Sequence, residues 1–252
     1  MGRFATVAQG LASLGLTAVG YDHLGHGRSD GPRGDAANVD ALVNDLHAIL
    51  PYLLDTAGAS RAIVFGHSMG GLILARYLTR GGYSDQVVGG ILSAPAFLIP
   101  KTPVVRIKIG VGRVLARYWP TCRVAAGIDP NGLSRDPQVV ADYRHDPLVH
   151  GLISARLGKS LIDDGERYAD DGAKLSVPLL VYHGQSDPIA SIEGTRRFVR
   201  HAPPALVTYQ EWVGCRHEPH HEWAADRARV FEKVRLWVEQ LLTERPATKI
   251  GG

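Results

Sequence analysis

Residues 61–71 read Arg61-Ala62-Ile63-Val64-Phe65-Gly66-His67-Ser68-Met69-Gly70-Gly71, and this stretch decides the fold. Ala62 to Phe65 form a short apolar run suited to a buried strand, Gly66 to Gly70 fit the pattern GxSxG, and Leu72 to Leu78 continue at helical spacing. Strand, tight turn and helix in that order hold a serine at a strained apex with its hydroxyl exposed, which makes Ser68 a candidate nucleophile. The pattern predicts that glycine is needed at 66 and 70, because a Cβ there would crowd strand and helix, and that the apex adopts an unusual backbone conformation. A serine at a helix start also stands beside amide hydrogens with no partner inside the helix. That of Met69 is one of them, and such donors suit a developing oxyanion. The competing reading is a glycine-rich turn whose serine merely caps the helix.

Outward from this stretch, apolar and amphipathic runs alternate. Val39, Leu42, Val43, Leu46, Ile49, Leu50 and Leu53 recur at helical spacing and stop near Gly58. Beyond Ser68, strands are predicted over Val87 to Leu92, Leu179 to Tyr182 and Ala205 to Trp212, with helices over Ile192 to His201 and Glu222 to Glu244. This order implies an α/β fold with a mostly parallel sheet covered on both faces. In such sheets ligands gather at the carboxyl ends of the strands. From Pro95 to about Val177 the alternation stops, and an inserted cap is expected there. The tail from Arg245 to Gly252 is polar and is expected to fray.

A chain of 252 residues fills one sizeable core with room for a modest insertion, so residues 1–252 are read as a single domain with a cap over about 95–177. The 28 basic and 25 acidic residues leave a net charge of +3, too balanced for a nucleic-acid partner. Cys122 and Cys215 lie far apart and form no CxxC, which points to a reducing, cytoplasmic setting. From Phe4 to Tyr21 no residue is charged, yet Thr6, Gln9, Ser13, Thr17 and three glycines dilute the run below a membrane span or signal sequence. It is read instead as a helix from about Arg3 to Leu14, a turn at Gly15 and a strand from Leu16 to Tyr21.

A serine hydroxyl needs an imidazole base, and the imidazole needs a carboxylate to fix its tautomer. In sheets of this kind the partners follow in the order Ser, Asp or Glu, His. Asp187 comes just after the strand Leu179 to Tyr182, whereas Asp163, Asp164, Asp170 and Asp171 follow no strand and resemble a solvated surface. After the strand ending at Trp212 come Cys215, His217, His220 and His221. His217 is first in the loop and is the candidate base; His220 and His221 are expected to face outward, and Cys215 to be a buried thiol near the pocket wall. His217, Glu218 and His221 also spell HExxH, but Pro219 breaks the helix a zinc site would require. His23 and His26, among glycines 25, 27 and 31, are read as part of a tight loop near the pocket.

Taken together, Asp22-His23-Leu24-Gly25-His26-Gly27-Arg28-Ser29, Gly66-His67-Ser68-Met69-Gly70-Gly71, His183-Gly184-Gln185-Ser186-Asp187 and His217-Glu218 resemble the monoacylglycerol lipase and lysophospholipase branch of the α/β-hydrolase superfamily. The cap segments Gly132 to Pro137 and Asp146 to Val149 resemble it as well. The resemblance implies Ser68 as nucleophile, Asp187 as orienting acid, His217 as base and the Met69 amide as an oxyanion donor, with no metal and no organic cofactor. It implies a substrate that is a single-chain acyl ester, most plausibly a monoacylglycerol, with lysophospholipids or general carboxylic esters as alternatives. Ahead of the segment that Gly2-Arg3-Phe4 resembles, it also implies further strands and a His-Gly loop carrying a second oxyanion donor, about 25 residues by typical element lengths. Either the true start lies upstream of Met1, the reading that an intact Ser, Asp and His set favours, or the chain is expected to be a weak or inactive hydrolase or a non-catalytic lipid- or partner-binding remnant.

Val104 to Trp119, read as a helix, separates an apolar face (Val104, Ile107, Val111, Val114, Leu115, Tyr118) from a stripe of Arg106, Gly110, Arg113 and Arg117. Such a segment either rests on a lipid surface, giving peripheral membrane contact through the cap, or packs its apolar face on the core.

Overall fold

The computed structural model describes residues 2–81 and 85–244. A 3-10 turn (Gly2–Phe4) leads into α1 (Ala5–Ala12); α2 (Val39–Ala57) precedes β1 (Ala62–His67), and α3 (Met69–Thr79) precedes β2 (Val87–Ser93). Then come α4 (Pro103–Tyr118), β3 (Arg123–Ala125), α5 (Pro137–His145), β4 (Leu152–Ser154) and α6 (Ala155–Tyr168). The chain returns to alternation with β5 (Leu179–Gly184), α7 (Ile192–His201), β6 (Val207–Trp212) and α8 (Ala224–Glu244).

β1, β2, β5 and β6 pair in parallel in the order β1-β2-β5-β6, and β3 pairs with β4 antiparallel outside that sheet. Every residue of β5 is buried, as expected for a central parallel strand covered on both faces. Because side chains alternate along a strand, β5 feeds two cores. Leu179 and Val181 join α2, α3 and α7 on one face, while Leu180 and Tyr182 join Val230, Val234, Trp237 and Val238 of α8 on the other. α2 starts where the Asn38 side chain accepts from the amide of Ala41 at 2.8 Å and stops at Gly58, whose φ is 63°.

Two expectations change. Leu16 to Tyr21 forms no strand: a ladder needs a hydrogen-bonded neighbour, and no described strand pairs with this segment. Leu16 and Tyr21 are instead held by side-chain packing, each against a different core. The expected helix over Arg3 to Leu14 contracts to the 3-10 turn and α1. The tail from Arg245 lies outside the described residues.

α4 takes its orientation from Val105, Ile109 and Leu115, which are half-buried, while Val104, Ile107, Val111, Val114 and Tyr118 are 56–70 % exposed. Of the apolar face read from the sequence, Val104, Ile107, Val111, Val114 and Tyr118 therefore point outward and Leu115 inward, and no residue of α4 is fully buried. The helix is fastened to α6 from its side, by the ion pair of Arg113 with Asp163 at 2.7 Å.

Candidate active site

β1 ends at His67 and α3 begins at Met69, which leaves Ser68 alone at the turn with φ 53° and ψ −117°. L-residues other than glycine rarely adopt this region, so the conformation persists only where neighbours enforce it. The Ser68 amide donates to the carbonyl of Ser93 at the end of β2 (3.0 Å), and the Ser68 carbonyl accepts from the amides of Leu72 and Ala96, each at 3.0 Å. The apex is thus tied to its own helix and to the neighbouring strand. A Cβ on Gly66 would collide with the Gly70 carbonyl, and one on Gly71 would lie 3.0 Å from Cα of Pro95. At Gly70 it would meet nothing within 4 Å, so the tight approach expected at 66 and 70 occurs at 66 and 71. Among the described residues no turn or cap hydrogen bond occupies the Met69 amide, which heads α3 as a helix-start donor.

The loops after β5 and β6 meet backbone to backbone. A Cβ on Gly184 would overlap the carbonyls of Arg216 and Cys215, and the amides of Gln185 and Ser186 donate to the carbonyls of Trp212 and Cys215, both at 2.9 Å. This approach carries Asp187 to His217. Asp187 Oδ1 accepts from the amides of Ile189 (2.8 Å) and Ala190 (3.0 Å), and Oδ2 accepts from His217 Nδ1 (2.7 Å) and His183 Nε2 (2.9 Å). Burial pushes the Asp187 carboxyl upward, but the hydrogen bonds from His183 and His217 outweigh it and hold the group well below the usual carboxylate range. An ionised carboxylate only accepts, so His217 donates from Nδ1 and presents Nε2 as its basic nitrogen.

The His217 ring lies 4.7 Å, centroid to centroid, from that of His67, the residue bonded to Ser68. The structure therefore joins Asp187 and His217 directly and sets His217 against the neighbour of Ser68; no described hydrogen bond links the Ser68 hydroxyl to the imidazole. A hydroxyl at a strained apex, a buried imidazole with a fixed tautomer and a helix-start amide are the parts required for acyl transfer through a covalent intermediate.

His220 and His221 do not face outward. The 3-10 turn Pro219–His221 folds them inward, so that His220 is fully buried and His221 Nδ1 donates to Glu218 at 2.9 Å. His217 and His221 consequently share no helical face, and no described cluster of His, Cys, Asp and Glu is arranged to hold a metal. Cys215 is buried as expected, and burial pushes its thiol up to about 11. His183 was not singled out by sequence reasoning, yet it braces Asp187 while its Nδ1 accepts from the Thr195 hydroxyl at 2.8 Å. The available signal was a polar residue closing an otherwise apolar strand, four positions before the acid.

Residues 1–224 match the protein family described as "Serine aminopeptidase, S33". The chain is 33 % identical over 238 residues to the monoacylglycerol lipase of Mycolicibacterium smegmatis, covering 94 % of this chain and 83 % of that protein. Among solved structures, the monoacylglycerol lipase of Paleococcus ferrophilus superposes with a TM-score of 0.83 at 31 % identity, covering 95 % of this chain and 90 % of that one. A soluble variant of the Saccharomyces cerevisiae monoglyceride lipase, in complex with a substrate analog, gives a TM-score of 0.77 at 25 % identity, covering 87 % and 76 %.

Two outcomes follow from this geometry. Gly66→Ala should lower the melting temperature by several degrees and abolish reactivity at Ser68, whereas Gly70→Ala should keep both close to wild type; equal damage from the two would contradict the packing described. Stability should also fall on acidification in two stages. Burial holds the imidazoles of His67 and His220 well below their ordinary value of 6.5, so the unfolded chain takes up those protons first and stability begins to drop below that pH. Burial pushes the Glu218 carboxyl up, but His221, His67 and Arg3 together bring it from 4.5 down to about 2, so its contribution, full above 4.5, is lost as pH falls between those values. Melting temperature against pH, with Glu218→Gln flattening the lower stage, checks both; a curve unchanged down to pH about 3 would refute them.

Proposed function

Because the chain belongs to the α/β-hydrolase family described as "Serine aminopeptidase, S33" and has the α/β-hydrolase fold, we propose that it is a serine ester hydrolase that cleaves monoacylglycerol to glycerol and a fatty acid. The observation that carries this reading is the 2.7 Å hydrogen bond between Asp187 and His217, set beside the strained turn that presents Ser68. The choice of an ester over a peptide bond follows the relatives, which are named as monoacylglycerol and monoglyceride lipases.

Ser68 Oγ attacks the ester carbonyl while His217 Nε2 takes the hydroxyl proton, and Asp187 stabilises the resulting imidazolium. The tetrahedral oxyanion is received by the Met69 amide at the start of α3. As the intermediate collapses, the carbon–oxygen bond to glycerol breaks and the proton on His217 passes to the glycerol oxygen, leaving an acyl-enzyme. Water then attacks the acyl carbon, giving its proton to His217; Ser68 leaves, recovers that proton and releases the fatty acid. No step calls on a metal or organic cofactor. The segment from 95 to 177 serves as the cap that shapes the acyl site.

Delivery of the substrate is assigned to α4. No described helix is long and apolar enough to cross a membrane. The outward stripe of Val104, Ile107, Val111, Val114 and Tyr118 is flanked by exposed Arg106, Lys108 and Arg117, which suits contact with an anionic lipid surface. With Cys122 and Cys215 both free, the setting inferred is the cytoplasm, with the cap against a membrane face.

A fluorophosphonate probe should label Ser68, and Ser68→Ala should remove hydrolysis; an active Ser68→Ala protein would sink the assignment. Asp187→Asn should lower kcat by about four orders of magnitude, the effect of leaving the base in the wrong tautomer. Turnover should be faster on monoacylglycerol than on lysophosphatidylcholine, with the reverse order favouring a lysophospholipase. In vesicle flotation, Ile107→Asp with Val111→Asp should abolish binding to anionic vesicles while leaving hydrolysis of a short p-nitrophenyl ester intact, and undiminished flotation would reject the role given to α4.

A further inference from the structure

Ser93, the last residue of β2, is fully buried and holds both halves of the site. Its carbonyl accepts from the Ser68 amide and from His67 Nδ1, each at 3.0 Å. Its hydroxyl lies 3.1 Å from the same His67 nitrogen and 3.2 Å from Nδ1 of His220, which follows the base His217 in the same loop. Burial holds the His220 imidazole well below its ordinary value and keeps it neutral. Because His67 Nδ1 donates toward Ser93, the Ser93 hydroxyl hydrogen is left for His220 Nδ1, with the Tyr182 hydroxyl next to that nitrogen at 3.4 Å.

Other bonds hold the His217 loop to the cap and to the loop after β5. The amides of His217 and Glu218 donate to the carbonyls of Gly132 (3.2 Å) and Leu133 (2.8 Å), and the Cys215 carbonyl accepts from Ser186 at 2.9 Å. None of these fixes the loop relative to Ser68. Among the described residues, the bond from Ser93 to His220 is the one hydrogen bond that runs from this loop to the segments holding the Ser68 turn. As a source of stability it is poor: His220 Nε2 is buried with no partner among the described residues, amid the rings of Phe4, Phe65 and His221 at 4.5–6.1 Å, where an apolar ring would serve better. Resting on the assignment of Ser68 and His217 above, we propose that Ser93 and His220 are positioning residues whose hydrogen bond ties the nucleophile's turn to the base's loop and sets the approach of the two reacting groups.

The test separates activity from stability, with kcat and KM on p-nitrophenyl butyrate, the rate of fluorophosphonate labelling and the melting temperature read on each variant. Ser93→Ala removes the hydroxyl and keeps the carbonyl; it should lower kcat about 10- to 100-fold with KM within about twofold of wild type, and slow labelling by the same factor as kcat. His220→Phe should match that loss while melting no lower than wild type. His220→Asn sets an acceptor oxygen where Nδ1 stood, so it should restore kcat to within about threefold of wild type although its smaller side chain lowers the melting temperature. Ser93→Ala combined with His220→Phe should be within about twofold of the slower single variant, because both remove the same bond. Should His220→Phe not fold, Ser93→Ala against His220→Asn carries the same contrast. Wild-type kcat in Ser93→Ala or His220→Phe, losses that multiply in the double variant, or kcat that follows melting temperature across the set overturns the proposal. Those outcomes leave the esterase reading intact; it falls, and this proposal with it, if the wild-type protein neither labels at Ser68 nor hydrolyses the ester.

Discussion

The backbone at Ser68 is the constraint on which the rest of the site depends. Holding a serine at φ 53° costs on the order of 1–3 kcal/mol, and it is held by hydrogen bonds to Ser93, Leu72 and Ala96. Those bonds exist because β1 and β2 run parallel and end at the same edge, and because Gly66 and Gly71 let strand, helix and the Pro95 segment approach without a Cβ between them. The strain turns a helix start toward the carboxyl ends of the strands, where unpaired amides and loop side chains collect.

The same edge organises the other half of the site. β5 and β6 pair over their whole length, so their following loops emerge together, and Gly184 allows those loops to touch. Asp187 and His217 are 30 residues apart in sequence yet form a 2.7 Å hydrogen bond. Asp187 accepts four hydrogen bonds, two from backbone amides and two from imidazoles, which leaves it neither free to rotate nor inclined to take a proton. The imidazole that it holds is thereby confined to one tautomer.

Much of this was legible in the sequence because it depends on local pattern. The helix predicted over Ile192 to His201 is found with those bounds, and strand ends located Ser68, Asp187 and His217 at one edge. What was not legible depends on distant partners. Leu16 to Tyr21 has strand composition, but pairing decides whether a strand exists. His220 and His221 read as exposed because nothing local shows that Arg3 and Phe4 cover them, and Arg3 and Glu218 meet across 215 residues. Gly70 fits the motif as well as Gly66 does, and only the packed structure separates a glycine that must be small from one that need not be. On α4 the periodicity separated an apolar face from a basic stripe, yet both meet solvent; the residues packing inward include Val105, Ile109 and Leu115, of which only Leu115 was read as part of the apolar face.

That three side chains work as one acyl-transfer unit is tested most directly by trapping the intermediate. Protein quenched within the first turnovers on p-nitrophenyl butyrate, digested and examined by mass spectrometry, should carry one butyryl group on the peptide containing Ser68, and the His217→Ala protein should carry none. A butyryl group on any other residue, or steady hydrolysis with the Ser68 peptide unmodified at every quench time, would contradict it.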